Sequence, residues 1–288
     1  MIYKIGEYYI DWKDTNFPLI NDQFYDKFLV NEIKDNNKII SIKTKYLDLE
    51  SIVKNYEVIN YTSSSEFYQT DKGLLVIYHW ARCRFAIGFY LDDLDQEEVI
   101  IYFNKKMDEQ IPITANWFFS ICGLHHILLK KNMPILHASY IEYNNKAILF
   151  AAPSGVGKST QASLWKEYKD ATIVNDDRVL IGCNNENWYA YGYPSTGSSK
   201  ICLNRTNEIA CIVLLQQAKH NAIHELSLSE KVKSLILGIE IFTWDENEWN
   251  MSINIATLIA SQVKIIKLEC LPDQSAVHLL NDYLETNY

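Results

Sequence analysis

The sequence predicts an α/β protein in two parts: a mainly antiparallel β domain over residues 1–110, and an α/β nucleotide-binding domain with a phosphate loop over residues 111–288. Three observations predict this. The first 110 residues read as short β-branched and aromatic runs between Asp and Asn turns. From Thr114 onward, apolar strands alternate with helical patterns. One of those strands, Ala147-Ile-Leu-Phe-Ala151, runs straight into a loop that ends in Gly157-Lys158-Ser159.

In the first part, strands are expected at Tyr8–Ile10, Phe28–Val30, Ile39–Ile42, Tyr56–Ile59, Leu74–Trp80, Arg84–Leu91 and Val99–Phe103. Acidic turns such as Asp92-Asp93-Leu94-Asp95 punctuate them, and no helix is expected. The texture changes at Thr114. Residues 114–131 suit a nearly all-apolar helix with Thr114 as N-cap, two lysines in its last turn and Pro134 beyond it. Strands 135–143 and 147–151 follow across an Asn144-Asn145 turn, then a loop, helix 159–168 and strand 171–174. Further strands are expected at 178–182, 188–192 and 209–215, a helical region at 228–262, a strand at 263–270 and a last helix at 273–286.

Composition narrows the function classes. Apolar residues make up 48 %, enough for a sizeable core. Lys plus Arg number 27 against 36 acidic residues, a formal net charge of −9. The acidic excess holds in both halves, 13 basic to 19 acidic over 1–110 and 14 to 17 over 111–288. Polyanion binders gather a basic face, so neither nucleic acid nor an anionic membrane is the expected partner. The six cysteines form no CxxC pair and mostly sit in apolar runs, which suits free thiols in a reducing compartment. With no apolar signal-peptide core and no run of about 18 apolar residues, the expected location is cytoplasmic.

The chemistry concentrates at Ala152-Pro153-Ser154-Gly155-Val156-Gly157-Lys158-Ser159-Thr160. The phosphate-loop pattern wants Gly, four residues, then Gly-Lys-Ser/Thr. Here Ala152 replaces the first glycine. Gly155 and Gly157 would turn backbone N–H groups around phosphate oxygens, and the following helix adds its positive end. Lys158 would reach the β and γ phosphates, and the Ser159 hydroxyl would bind Mg²⁺. A Gly-Lys-Ser/Thr tripeptide arises by chance about once in 2,000 positions, so the strand before it and the helix after it carry the inference.

A second constellation, Val174-Asn-Asp176-Asp177-Arg-Val179, closes the next strand. Two carboxylates at a strand end beside a triphosphate can hold Mg²⁺ and accept a proton from an attacking hydroxyl. His137 opens the strand that precedes the loop.

Leu136-His-Ala-Ser, Pro153-Ser-Gly-Val-Gly-Lys-Ser and Val174-Asn-Asp-Asp-Arg-Val, in that order, resemble the catalytic domain of HPr kinase/phosphorylase. They are closer still to the HPr kinase-like proteins encoded with bacterial peptide-modification systems. Tyr191-Gly-Tyr-Pro-Ser-Thr-Gly197 resembles a loop of the same relatives. The resemblance implies a P-loop kinase domain of the HPr kinase/phosphoenolpyruvate carboxykinase type, with ATP phosphates on Ala152–Thr160 and Mg²⁺ on Ser159. It implies Asp177 as catalytic base, Asp176 toward the metal and His137 in the active site. The Glu-x-Arg-Gly-x-Gly signature of true HPr kinases does not follow Asp177, and Ser195 stands where those proteins often have tryptophan. A kinase for another hydroxyl, on a peptide, protein or small molecule, is therefore the expected activity. A nucleotide-gated binding module is the alternative. A carboxykinase-type lyase ranks last, because only Arg178 and Arg205 follow the loop. Use of GTP or pyrophosphate, self-phosphorylation and the oligomeric state stay open.

Overall fold

The aromatic and β-branched runs of the first part do form strands, but they do not pair in chain order. A computed structural model describes residues 1–13, 19–20, 24–36, 38–71, 73–80, 83–90, 98–104, 113–114, 119, 122–197 and 199–287. The chain divides into two units, Met1–Leu124 and His125–Tyr288, whereas the composition changes near residue 110. The expected turn at Asp92–Asp95 lies outside the described residues.

In the first unit the strands are β1 (Ile2–Ile5), β2 (Tyr8–Trp12), β3 (Leu19–Ile20), β4 (Leu29–Val30), β5 (Ile39–Leu47), β6 (Val58–Tyr61), β7 (Ser65–Thr70), β8 (Gly73–Trp80), β9 (Cys83–Tyr90), β10 (Glu98–Asn104) and β11 (Ile113–Thr114). Nine of them make one sheet in the order β4-β1-β2-β5-β10-β9-β8-β7-β6. β5 pairs in parallel with both β2 and β10, so the sheet is mixed rather than purely antiparallel. Short polar turns explain the hairpins, but a parallel partner is reached by a crossover that local patterning does not reveal. A short helix, α1 (Leu49–Val53), and a 3₁₀ turn at Tyr25–Phe28 also stand where no helix was expected. Ile5, Ile10, Trp12, Phe28, Ile40 and Ile42 are fully buried.

The helix expected over 114–131 is interrupted: Phe119 is helical, and residues 115–118 and 120–121 lie outside the described residues. Thr114 lies in β11, opposite Ile20, and helix α2 spans Leu124–Lys130. Gly123 has φ 62°, which a continuous α-helix does not admit, so it separates α2 from the helical backbone at Phe119.

The second unit holds β12 (Ile135–Tyr143), β13 (Lys146–Ala151), β14 (Thr172–Asn175), β15 (Arg178–Asn184), β16 (Asn187–Gly192), β17 (Thr206–Gln217), β18 (Ala222–Glu225) and β19 (Ile265–Cys270). Its helices are α3 (Lys158–Lys169), α4 (Leu228–Ile236), α5 (Glu246–Gln262) and α6 (Gln274–Asn287). The sheet order is β13-β12-β15-β16-β17-β19-β18, β14 pairs with β12, and β13 also pairs in parallel with β17. Five strands thus close into a ring. The expected helical region 228–262 is two helices, separated by a segment that runs back along β12 (Leu136 bridges Ile239). Strand β18 was not expected.

Strand periodicity of two places alternate residues of β13 in different cores. Ala147, Leu149 and Ala151 join a cluster with Leu235 of α4 and Ile255 and Ile259 of α5. Ile148 and Phe150 join another with Trp165 of α3 and Leu280 of α6. Burial on both faces is why Ala147–Ala151 and Cys211–Leu215 read as unbroken apolar runs. Among the described residues no helix is long and apolar enough to cross a membrane.

Candidate functional site

β13 ends at Ala151, and six residues then turn into α3, whose first residue is Lys158. Gly155 (φ 81°) and Gly157 (φ 121°) take a backbone path that side-chain-bearing residues avoid, and a Cβ at either would meet nothing within 4 Å. The loop is therefore open above the start of a 12-residue helix, whose first N–H groups lack intrahelical partners. That arrangement fits an anion such as a phosphate chain. Ala152 has no left-handed φ, so the missing first glycine costs the turn nothing. Gln217, at the end of β17, donates to the Gly155 and Val156 carbonyls at 3.3 Å each and fixes the loop to the sheet. Ser159 is half-buried and Thr160 exposed at the first turn of the helix, while Pro153 and Ser154 are exposed in the loop.

The Lys158 side chain folds back over the loop. Its Nζ donates to the Ala152 carbonyl at 2.8 Å, to that of Pro153 at 3.4 Å and to His137 Nε2 at 2.8 Å. An ammonium has no acceptor capacity, so His137 Nε2 must accept and its ring proton sits on Nδ1. Nδ1 in turn faces Asp177 Oδ1 at 3.4 Å. Burial, then the Lys158 charge, lower the His137 pKa below its ordinary value, with Asp177 opposing. Burial likewise lowers the Lys158 pKa, again opposed by Asp177. The neutral imidazole thus joins a lysine to a carboxylate.

The other Asp177 oxygen accepts from Arg178 Nη1 at 2.6 Å. The same Nη1 donates to Ser195 Oγ at 3.0 Å, and Arg178 Nε donates to Glu240 Oε2 at 3.1 Å. Burial pulls the Arg178 pKa down, but the charges of Glu240 and Asp177 outweigh it and the net shift is upward. Glu240 reaches the site because its segment lies along β12: the His137 N–H donates to the Gly238 carbonyl at 2.8 Å and the Glu240 N–H to that of Ile135 at 2.9 Å.

Asp176 is placed differently. It is 3 % exposed, and its carboxylate accepts the Gly197 N–H at 2.8 Å and the Ser199 N–H at 2.7 Å. Ser139 Oγ donates to its main-chain carbonyl at 3.1 Å. The carboxylate that meets His137 and Arg178 is that of Asp177; Asp176 anchors the loop after Pro194. Between the two strands Asn175, fully buried, makes four bonds. Its Nδ2 donates to the carbonyls of Tyr193 (2.6 Å) and Ser195 (3.0 Å), and its Oδ1 accepts the N–H groups of Asp177 (2.9 Å) and Arg178 (3.0 Å).

The structure therefore brings Lys158, His137 and Asp177 together at the mouth of the loop. Sequence reading missed Asn175, Arg178 and Glu240 as parts of the site. Asn175 and Arg178 lie inside a motif read only for its two carboxylates, and nothing local marks Glu240. A separate cluster, His126, Asp245 and Glu248, also brings possible metal-ligand atoms within 4.8 Å of one another. Its groups already serve the fold: Glu248 meets His126 and the Phe242 N–H, and Asp245 caps α5.

A mixed α/β chain with a glycine loop at a helix start and an adjoining lysine–histidine–aspartate cluster is what the fold and site define. The sequence profile described as "SynChlorMet cassette protein ScmC" matches residues 99–267, more than half the chain, and the chain belongs to that family. Among solved structures it is similar to the Hpr(Ser) kinase/phosphatase from Coxiella burnetii, at 14 % identity and a TM-score of 0.29, over 53 % of this chain and 88 % of that one. That distant neighbour is a kinase/phosphatase; the likeness is too low to carry its activity over. No curated protein matches the chain.

Proposed function

We propose that the chain is an ATP- and Mg²⁺-dependent kinase that transfers the γ-phosphoryl group to a serine-type hydroxyl of a peptide, protein or small molecule. The observation that carries this reading is the cluster itself: the lysine that starts the helix, a neutral histidine and a carboxylate meet beside an open glycine loop. In this reading the N–H groups of Ala152–Thr160 bind the phosphates. Lys158 leaves the Ala152 carbonyl for the β and γ oxygens, where its charge counters the charge of the transferring group. His137 then remains as a neutral group holding Asp177 in place through Nδ1–H. Asp177 accepts the proton of the attacking hydroxyl. Ser159 is the proposed Mg²⁺ ligand, and the ion when bound supplies further charge neutralisation at the phosphate oxygens. Asp176 is the second residue proposed toward the metal, and its carboxylate also accepts the Gly197 and Ser199 N–H groups.

The test follows ADP formation and phosphate transfer with serine-bearing peptides, proteins and small alcohols, alongside calorimetric ATP binding. Asp177→Asn is expected to lower transfer by about 10²–10⁴-fold, the usual worth of a general base, with ATP still bound. Lys158→Ala is expected to lose ATP binding. Full transfer in the Asp177 variant removes the proposed base. ATP bound by the wild type with no transfer at all leaves the nucleotide-gated binding module instead.

A further inference from the structure

Ser195 lies across the candidate base from the phosphate loop. One nitrogen, Arg178 Nη1, touches both Asp177 Oδ2 at 2.6 Å and Ser195 Oγ at 3.0 Å. The opposite oxygen, Asp177 Oδ1, faces His137, which accepts from Lys158. A polar chain therefore runs from the loop lysine through His137, the Asp177 carboxylate and the Arg178 guanidinium to a serine hydroxyl of the same molecule. The position is built rather than incidental. The Ser195 N–H donates to the Tyr193 carbonyl at 2.8 Å, and its own carbonyl accepts from buried Asn175 at 3.0 Å. Asp176 clamps the following residues through the Gly197 and Ser199 N–H groups. Ser195 remains half-buried, so its hydroxyl is held but not sealed off.

We infer that Ser195 is a phosphorylation site of the chain itself, modified within one molecule. The inference rests on the kinase reading above. In the step, Ser195 Oγ forms a bond to the γ-phosphorus of ATP while the bond from that phosphorus to the β–γ bridging oxygen breaks. The hydroxyl proton passes to Asp177, and ADP leaves with the bond's electron pair. The product places a phosphate dianion beside Arg178, whose guanidinium donates well to phosphate oxygens. The phosphorylated loop then occupies the place an external hydroxyl would take, so the mark also limits access of other acceptors.

The experiment incubates the full chain with Mg²⁺ and ATP, removes the nucleotide and maps phosphate by peptide mass spectrometry, with calorimetric ATP binding on the same samples. One phosphate at Ser195 is expected, with a rate constant independent of protein concentration. The mark should vanish in Ser195→Ala, persist on the hydroxyl of Ser195→Thr and slow at least about a hundredfold in Asp177→Asn. Mapping in the wild type does not depend on any variant folding. Phosphate at another residue, or labelling of Ser195 that quickens with protein concentration, overturns modification within one molecule. ADP formation that needs Lys158 but leaves Ser195 bare overturns the inference and keeps the kinase reading. Absence of both ATP binding and ADP formation overturns the two together.

Discussion

Asn175 holds the turn on which the site depends. Fully buried, it satisfies four main-chain groups on two different loops, and no other side-chain type supplies two donors and an acceptor of that reach. Asn175→Ala would take that partner from all four, but the Tyr193 carbonyl keeps the Ser195 N–H and water reaches groups on the half-buried loop, so the cost is well below four full penalties of about 1–3 kcal/mol. A loss of about 2–4 kcal/mol in urea-induced unfolding is expected, and a loss under about 1 kcal/mol would mean that the turn stands without it. Sequence reading found the motif but gave its roles to the charged residues, because a carboxylate's chemistry is legible by type and an amide's bonding appears only once two loops meet. His137 makes the second prediction at this scale. Its pKa is lowered by burial and by the Lys158 charge, so the folded chain keeps it neutral below the point, near 6.5, where the unfolded chain takes up a proton. Folding stability should therefore fall as pH drops from about 6.5 toward the folded midpoint. Ring titration by NMR is expected to give a midpoint below 6.5, moving upward in Lys158→Met, which removes the second cause and leaves the burial. A wild-type midpoint at or above 6.5 contradicts the neutral tautomer drawn from the Lys158 contact.

Elements were legible where one periodicity governs them. The strand–loop–helix run from β13 through α3 follows the sequence pattern closely, since its strand is apolar on both faces and its loop has glycines at the two positive-φ positions. The helix expected from Thr114 was not, because Gly123 divides a run whose apolar content alone suggested continuity. Glycines also differ in what they demand, and the difference is testable. At Gly155 an added Cβ has free space, so Gly155→Ala costs only backbone strain, about 1–2 kcal/mol. At Gly192, the last residue of β16, a Cβ would stand 1.8 Å from the Leu203 carbonyl oxygen. That oxygen belongs to main chain tied into the sheet: the Gly192 N–H donates to the Arg205 carbonyl and the Leu203 N–H to that of Val174. Gly192→Ala must therefore separate strand and loop, at about 3–5 kcal/mol. Thermal melting of the two variants should put Gly192→Ala well below Gly155→Ala; equal melting points would show that the Leu203 segment yields freely.

At the scale of the whole molecule, the closed ring of β13, β12, β15, β16 and β17 sets how much chain the site needs. Ring closure gives each of these strands two neighbours. Both apolar clusters of the second unit draw their buried members from residues 129–284, and the contacts of the candidate site run from Ile135 to Glu240. A fragment of residues 122–288 should therefore unfold in one cooperative transition and bind ATP within about threefold of the full chain, a difference under about 1 kcal/mol. The family match argues the other side, since it begins at residue 99, inside β10 of the first unit. If what the family shares requires that strand, the fragment will lack a cooperative melt or lose ATP affinity by more than tenfold. Calorimetric melting and ATP titration of fragment and full chain decide between the two. A cooperative fragment with full affinity confines the nucleotide site to the ring and its helices, and leaves the nine-stranded sheet free for another task.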